Sequence, residues 1–207
     1  MRLQYTPNPP TPATDADAAI VSRIAARRAP RPLQPLDLAL LHAPPVADGW
    51  NSFLGSIRER TSLDARVREL AISRVAVVNG AWYEWGHHAP LALKAGVSEA
   101  GIAIVKKDVL VEGGAEGSVE GVEKAKKEAL EAGLSEGEWA VLRYTDEMTR
   151  NVKVQDATFA ELKKAFSERE VVEITATVAA YNCVSRFLVA LDVGEKNGTG
   201  LDDVAGH

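Results

Sequence analysis

Glu84-Trp85-Gly86-His87-His88 sets two imidazoles and a carboxylate side by side in the chain. The flanks, Leu70 to Val78 and Pro90 to Ala95, are too apolar for a solvated surface run. Residues four apart on a helix share a face, so Glu84 and His88 can enter one space. A carboxylate beside an imidazole is equipment for proton transfer. The carboxylate raises the imidazole pKa and burial raises the carboxylate's, which brings both toward neutral pH. The alternative is a helix-stabilising ion pair worth about 0.2–0.5 kcal/mol. Glu84-x-x-His87 also matches the Glu-x-x-His element of di-iron helical bundles. Such a centre needs a second element and two further glutamates, and only one element is found, so no metal is assigned. His87 is left to a substrate pocket or a subunit contact.

The elements that must position these groups are helical. Ser62-Leu63-Asp64 starts a helix over Ala65 to Asn79, the Asn79-Gly80 break turns the chain, and a second helix runs from Ala81 to Ala95 with Gly96 closing it. This αα-hairpin places Glu69 and His88 at similar distances from the turn, so they can meet if their faces agree. An ordinary salt bridge from Glu69 to Arg66 or Arg68 is the alternative. Around the hairpin the spacing predicts helices over Asp15 to Ala29, Leu36 to Ala43, Val46 to Arg60, Ser98 to Ile104, Ser135 to Arg150, Asp156 to Phe166 and Ser167 to Leu191. Ser167 and Glu170 form a capping box. No segment alternates as a strand, so the chain reads as all-α.

Residues 1–14 read as an extended proline-rich arm, 15–195 as one helical domain, and 196–207 as a flexible tail. Within the domain the charged, glycine-containing stretch 107–131 reads as an inserted loop and exposed helix rather than a core element. Leu70 to Asn79 and Ile174 to Asn182 echo one another, both apolar runs ending in Asn. The echo fits either a duplicated hairpin or two unrelated core helices.

The 207 residues, 46% hydrophobic and 26% charged, suit a domain with a real core. A net charge of −5 with no basic patch argues against nucleic acid as a partner. No uninterrupted apolar run approaches bilayer length, and the N-terminus does not resemble a signal peptide, so no membrane partner and a cytoplasmic location are expected. The single cysteine, Cys183, rules out an intrachain disulfide and is read as a small core residue. Trp82, Tyr83 and Trp85 could wall an aromatic substrate site, and His42 could line a pocket. Aromatics at helical spacing are more commonly core, and a structural role for His42 is the plainer reading.

Arg68-Glu69-Leu70-Ala71-Ile72-Ser73-Arg74-Val75, then Asn79-Gly80-Ala81-Trp82-Tyr83-Glu84-Trp85-Gly86-His87-His88 and Ala95-Gly96-Val97-Ser98, resembles the carboxymuconolactone decarboxylase-like family. That family shares its fold with the alkylhydroperoxidase D-like proteins. Leu40 to Pro44 and Gly49 to Phe53 look like it too. The resemblance implies an alkylhydroperoxidase D-like fold around the hairpin and a homo-oligomer, dimer, trimer or hexamer, with pockets near subunit contacts. The redox branch carries C-x-x-C-x-x-x-H on the second helix and a Glu on the first. Laid over this chain, the cysteines fall on Ala81 and Glu84, the histidine on His88 and the glutamate on Glu69. Without the thiol pair a disulfide cycle cannot run. What the resemblance leaves is the acid–base equipment of the decarboxylase branch: a carboxy-lyase that decarboxylates, or otherwise shuttles protons on, a small-molecule organic acid, lactone or aromatic or keto compound, without a cofactor. A charged His88 would stabilise an enolate or protonate carbon, Glu84 would orient His88 and relay protons, and Glu69 would hold the network. A non-catalytic oligomeric binding or scaffold protein is the alternative, and a peroxide reductase working through Cys183 is a further one.

Overall fold

Gly80 is the pivot of the structure. Its φ of +61° is a left-handed conformation that glycine adopts without strain, and its N–H closes the preceding helix on the Ala76 and Val77 carbonyls. The computed structural model describes residues 1–114, 117–201 and 203; among these the chain is helical and has no strand. The elements are α1 (Asp15–Arg28), α2 (Pro35–Leu40), α3 (Pro44–Glu59), α4 (Ala65–Asn79), α5 (Trp82–Lys94), α6 (Glu99–Lys106), α7 (Val119–Glu131), α8 (Glu136–Asn151), α9 (Asp156–Ala165) and α10 (Glu168–Leu191).

Helix α4 is central. Residues Glu69 through Val77 are all buried, polar members included, because α5, α8 and α10 pack around it. A helix covered on every side shows no amphipathic stripe, and its polar residues must find partners inside. One core, on Ile72, Val75, Val141, Ile174, Val178 and Leu188, joins α4, α8 and α10. A second, on Leu70, Ala76, Trp85, Ala92, Trp139 and Leu142, joins α4, α5 and α8. Capping boxes start α8 at Ser135/Glu138 and α10 at Ser167/Glu170. Pro44 and Pro45 begin α3 rather than merely ending α2, since proline lacks only an N–H that the first turn leaves unpaired.

Two segments differ from the sequence reading. The stretch 107–131 is partly core: Leu110, Val111 and Ala129 belong to the second cluster, while Asp108, Val109 and Glu112 of the loop and most of α7 are exposed, as expected of an exposed helix. Its short apolar residues are separated by glycines and charges, which hides their shared face in the sequence. Residues 115 and 116 of this stretch, and 202 and 204–207 of the expected tail, lie outside the described residues. Cys183 is exposed, not core, because α10 turns Tyr181, Val184 and Ser185 inward instead. Helix α10 is long and apolar enough to cross a membrane by length and composition, yet its apolar face fills the first core.

The arm runs over the body. The Arg2 N–H donates to the Leu191 carbonyl at 2.8 Å and Thr6 Oγ1 to the Leu38 carbonyl at 2.7 Å. Tyr5 Oη accepts the Gly194 N–H at 2.8 Å. Gly194 has a φ of +77°, and a Cβ there would stand 2.2 Å from Tyr83 Cδ2. Gly194→Ala therefore combines backbone strain with overpacking and is expected to lower stability by about 2–4 kcal/mol, read as a shifted urea midpoint. A midpoint equal to wild type would show that the α10–arm junction yields freely.

Candidate active site

Where α4, α5, α3 and α10 converge, four polar side chains share one buried space. Glu69, on α4 and 2% exposed, accepts at Oε2 a 2.6 Å hydrogen bond from His88 Nδ1 on α5, itself 8% exposed. Arg58, near the end of α3, donates from Nη1 to Tyr181 Oη on α10 at 2.9 Å. That same Nη1 lies 3.4 Å from His88 Nδ1, and Nη2 lies 3.6 Å from Glu69 Oε1. Arg68 Nε reaches Glu69 Oε1 at 3.4 Å. The His88 and Tyr181 rings meet edge to face, centroids 5.0 Å apart and planes at 82°. The Arg58 side chain is 28% exposed and is the member of the group that reaches solvent.

Protonation follows from this geometry. Burial pushes His88 down to about 4, and the hydrogen bond and charge of Glu69 only partly oppose it. Burial alone would raise Glu69, but the His88 hydrogen bond, then Arg58 and Arg68, hold its carboxyl below the usual range. Two guanidiniums already answer the carboxylate, so little field remains to hold a third cation. His88 is thus neutral at pH 7. Nδ1 carries the proton given to Glu69, and Nε2 keeps its lone pair. This reverses the expectation of a charged His88: desolvation outweighs one carboxylate when that carboxylate is already paired. Burial pushes the Tyr181 phenol up to about 12, so it remains a proton donor.

Glu84 does not orient His88. It lies one turn away on α5, 2% exposed, and accepts at Oε2 a 2.8 Å hydrogen bond from Ser185 Oγ on α10. Burial raises its pKa well above the ordinary carboxylate value. Helical spacing set Glu84 and His88 on one face, but each pairs sideways, across to a neighbouring helix. His87 is exposed and stacks on Tyr83, centroids 4.5 Å apart, with Nδ1 2.8 Å from the Tyr83 carbonyl. It diverges from Glu84, which removes the Glu-x-x-His geometry. His42 is exposed and tethers the arm, Nε2 standing 2.7 Å from the Gln4 carbonyl. Trp85 is a side chain of the second core and Trp82 packs against it, so neither aromatic joins the His88 cluster. Among the described residues no group of three His, Cys, Asp or Glu could hold a metal ion.

Arg58, Tyr181 and Ser185 are the members that sequence reasoning missed. The available signal was Thr177, Tyr181 and Ser185, a stripe of hydroxyls four residues apart along an apolar helix and buried throughout.

Residues 44–120 match the carboxymuconolactone decarboxylase family, a segment that carries Arg58, Glu69, Glu84 and His88. Over that segment the chain is similar to the carboxymuconolactone decarboxylase family. Its fold is that of the AhpD-like proteins. Three solved structures illustrate the likeness. An uncharacterized peroxidase-related protein from Silicibacter sp. TM1040 aligns at a TM-score of 0.66 and 13% identity, covering 91% of each chain. The debrominase Bmp8, as a Cys-to-Ala variant in complex with 2,3,4-tribromopyrrole, aligns at 0.64 and 16%, covering 94% of this chain and 96% of its own. An alkylhydroperoxidase AhpD core protein from Ralstonia eutropha JMP134 aligns at 0.59 and 18%, covering 88% and 90%. At these identities the likeness is one of fold. No curated protein matches the chain. Tyr181 and Ser185 lie outside the matched segment, so α10 completes the site from beyond it.

Proposed function

We propose that this protein is a cofactor-independent acid–base enzyme acting on a small carbonyl compound, lactone or organic acid, with His88 as the base. The neutral, buried imidazole held through Nδ1 by an ionised Glu69 carries this reading. That arrangement fixes the tautomer and leaves Nε2 free to take a proton. His88 Nε2 removes a proton from the carbon next to the substrate carbonyl. The C–H electron pair moves into the carbonyl, and the resulting enolate oxygen is met by the Tyr181 O–H and the Arg58 guanidinium. Return of the proton to another carbon completes an isomerisation. Where the substrate carries a suitably placed carboxylate, loss of carbon dioxide leaves the same kind of enolate for the same two donors. Glu69 positions His88 and does not touch substrate. The oligomer implied by the family would complete the pocket at a subunit contact, with solvent access past Arg58.

Incubating the protein with keto acids and lactones in deuterated water tests this directly. Wild type is expected to introduce deuterium at the carbon next to the carbonyl, followed by NMR. Glu69→Gln keeps the volume but loses the charge that fixes the imidazole, and is expected to slow exchange on the order of 10²-fold. Equal exchange in both proteins would remove the pair from the mechanism.

A second reading, a ligand-binding scaffold of the same fold, draws on Trp85 being core and on two monomer hollows, one near Arg143 and Glu147 and one near Arg27 and Trp50, that lie away from His88. It expects ligand-induced thermal shifts without any deuterium exchange.

A further inference from the structure

Beneath the His88 cluster the same helices carry a second polar tier. The antiparallel hairpin pairs Glu69 with His88. One turn toward the Asn79-Gly80 bend, that register sets Ser73 of α4 opposite Glu84 of α5. Helix α10 repeats the step, with Tyr181 beside His88 and Ser185 bonded to Glu84. In the upper tier every polar member has a partner. In the lower tier two atoms do not: Ser73 Oγ and Glu84 Oε1 are both buried without a hydrogen-bond partner.

We propose that Ser73 and Glu84, closed off by Ser185, form a buried binding site for a single water molecule. The chemistry selects this occupant. Ser185 Oγ–H already donates to Glu84 Oε2, which leaves Oε1 as the oxygen without a partner. A buried water needs two to four polar partners, and a carboxyl oxygen and a hydroxyl on facing helices supply two. The water accepts from the Glu84 O–H and donates to Ser73 Oγ, which satisfies both orphaned atoms at once. Ser73 and Ser185 are fully buried and Glu84 nearly so, which leaves no route for a larger molecule. Burial of the carboxyl, which favours its neutral form, supplies the O–H that this arrangement requires. The site stands independently of the proposed reaction, since neither Ser73 nor Glu84 touches the His88–Glu69 pair.

Infrared spectroscopy of the full-length protein at neutral pH provides the test. A carbonyl band of a hydrogen-bonded carboxylic acid is expected in wild type and is lost in Glu84→Gln. In Ser73→Ala the band moves to higher frequency, as the acid's hydrogen bond weakens. A band at the same position in Ser73→Ala, or no acid band in wild type, overturns the proposal. A high-resolution crystal structure of wild type needs no variant to fold. Density for one water within hydrogen-bond distance of Ser73 Oγ and Glu84 Oε1 supports the site, and a direct Ser73–Glu84 hydrogen bond or a dry gap overturns it.

Discussion

His88→Ala is expected to lower kcat/KM for the proton-transfer reaction by about 10²–10⁴-fold while the helical fold is retained. The imidazole is 8% exposed, so the measurement pairs steady-state kinetics with circular dichroism and a thermal melt. Its removal leaves Glu69 ionised beside Arg58 and Arg68 at 3.6 and 3.4 Å, so no carboxylate is left bare. The loss is thereby one of chemistry more than of structure. Activity within about threefold of wild type in the folded variant would show that another group carries the proton.

The pH profile follows from the same group. An imidazole that titrates near 4 is still a base at pH 5, so the acid limb of kcat/KM is expected near pH 4 rather than near the ordinary 6.5. Tyr181, held up to about 12, contributes no basic limb in the working range. Stability moves the same way. The folded state holds His88 below its unfolded value, so the unfolded chain binds the extra proton first. This contribution is complete above about pH 6.5 and is lost as pH falls toward 4. Glu69, also held low by His88 and the two arginines, adds to the loss on the acid side. Glu84, raised by burial, has the opposite sign: its contribution is present at low pH and fades as pH rises through its folded pKa. Urea midpoints measured between pH 7 and 4.5 should fall in wild type and fall less in His88→Gln. An acid limb near 6.5 would mean that His88 is solvated in the working enzyme.

The hairpin and the Glu69–His88 pair were legible because both are local. Asn-Gly fixes the turn, and an antiparallel register then determines which residues face each other across it. Arg58 and Tyr181 were not legible in this way. Arg58 meets His88 across 30 residues and Tyr181 across 123, and no local pattern encodes the angle at which α3 and α10 cross the hairpin. Glu84 shows the limit of spacing alone. Four residues along a helix guarantee a shared face but also about 6 Å of rise, and in a packed bundle the sideways neighbour is the nearer one. The Asn79–Asn182 hydrogen bond, 3.2 Å, places the ends of the two echoing segments together in α4 and α10. The buried charges of α4 were legible as residues and not as a network, since each partner comes from a different helix.

Arg74→Leu is expected to destabilise the core strongly. Arg74 is fully buried in the middle of α4 and divides its guanidinium between a side chain and a loop. Nε donates to Asp146 Oδ1 at 2.9 Å, and Nη2 also bonds Asp146. Nη1 donates to the Val105 carbonyl at 2.9 Å and to the Lys107 carbonyl, while Nη2 reaches the Asp108 carbonyl at 3.1 Å. The side chain therefore ties α4 and α8 to the turn after α6, which delivers Leu110 and Val111 to the second core. Burial lowers the Arg74 pKa and Asp146 opposes that shift, so the group stays charged at neutral pH. Leucine fills much of the volume but takes the guanidinium from the Val105 and Lys107 carbonyls, leaves the Asp108 carbonyl to Arg150, and leaves Asp146 with Arg150, at 3.3 Å, as its remaining cation. Breaking a buried pair from one side costs about 3–5 kcal/mol. For a chain of this size that corresponds to a fall in Tm on the order of 10 °C. Arg74→Lys keeps the charge but cannot fork toward three carbonyls and a carboxylate, so it should recover only part of the loss. Asp146→Asn in the Arg74→Leu background should recover another part, because it removes the half-paired charge, and a double-mutant cycle reads that coupling. A Tm within about 2 °C of wild type for Arg74→Leu would show that the loop and α8 hold without the guanidinium, and that this buried charge serves something other than stability.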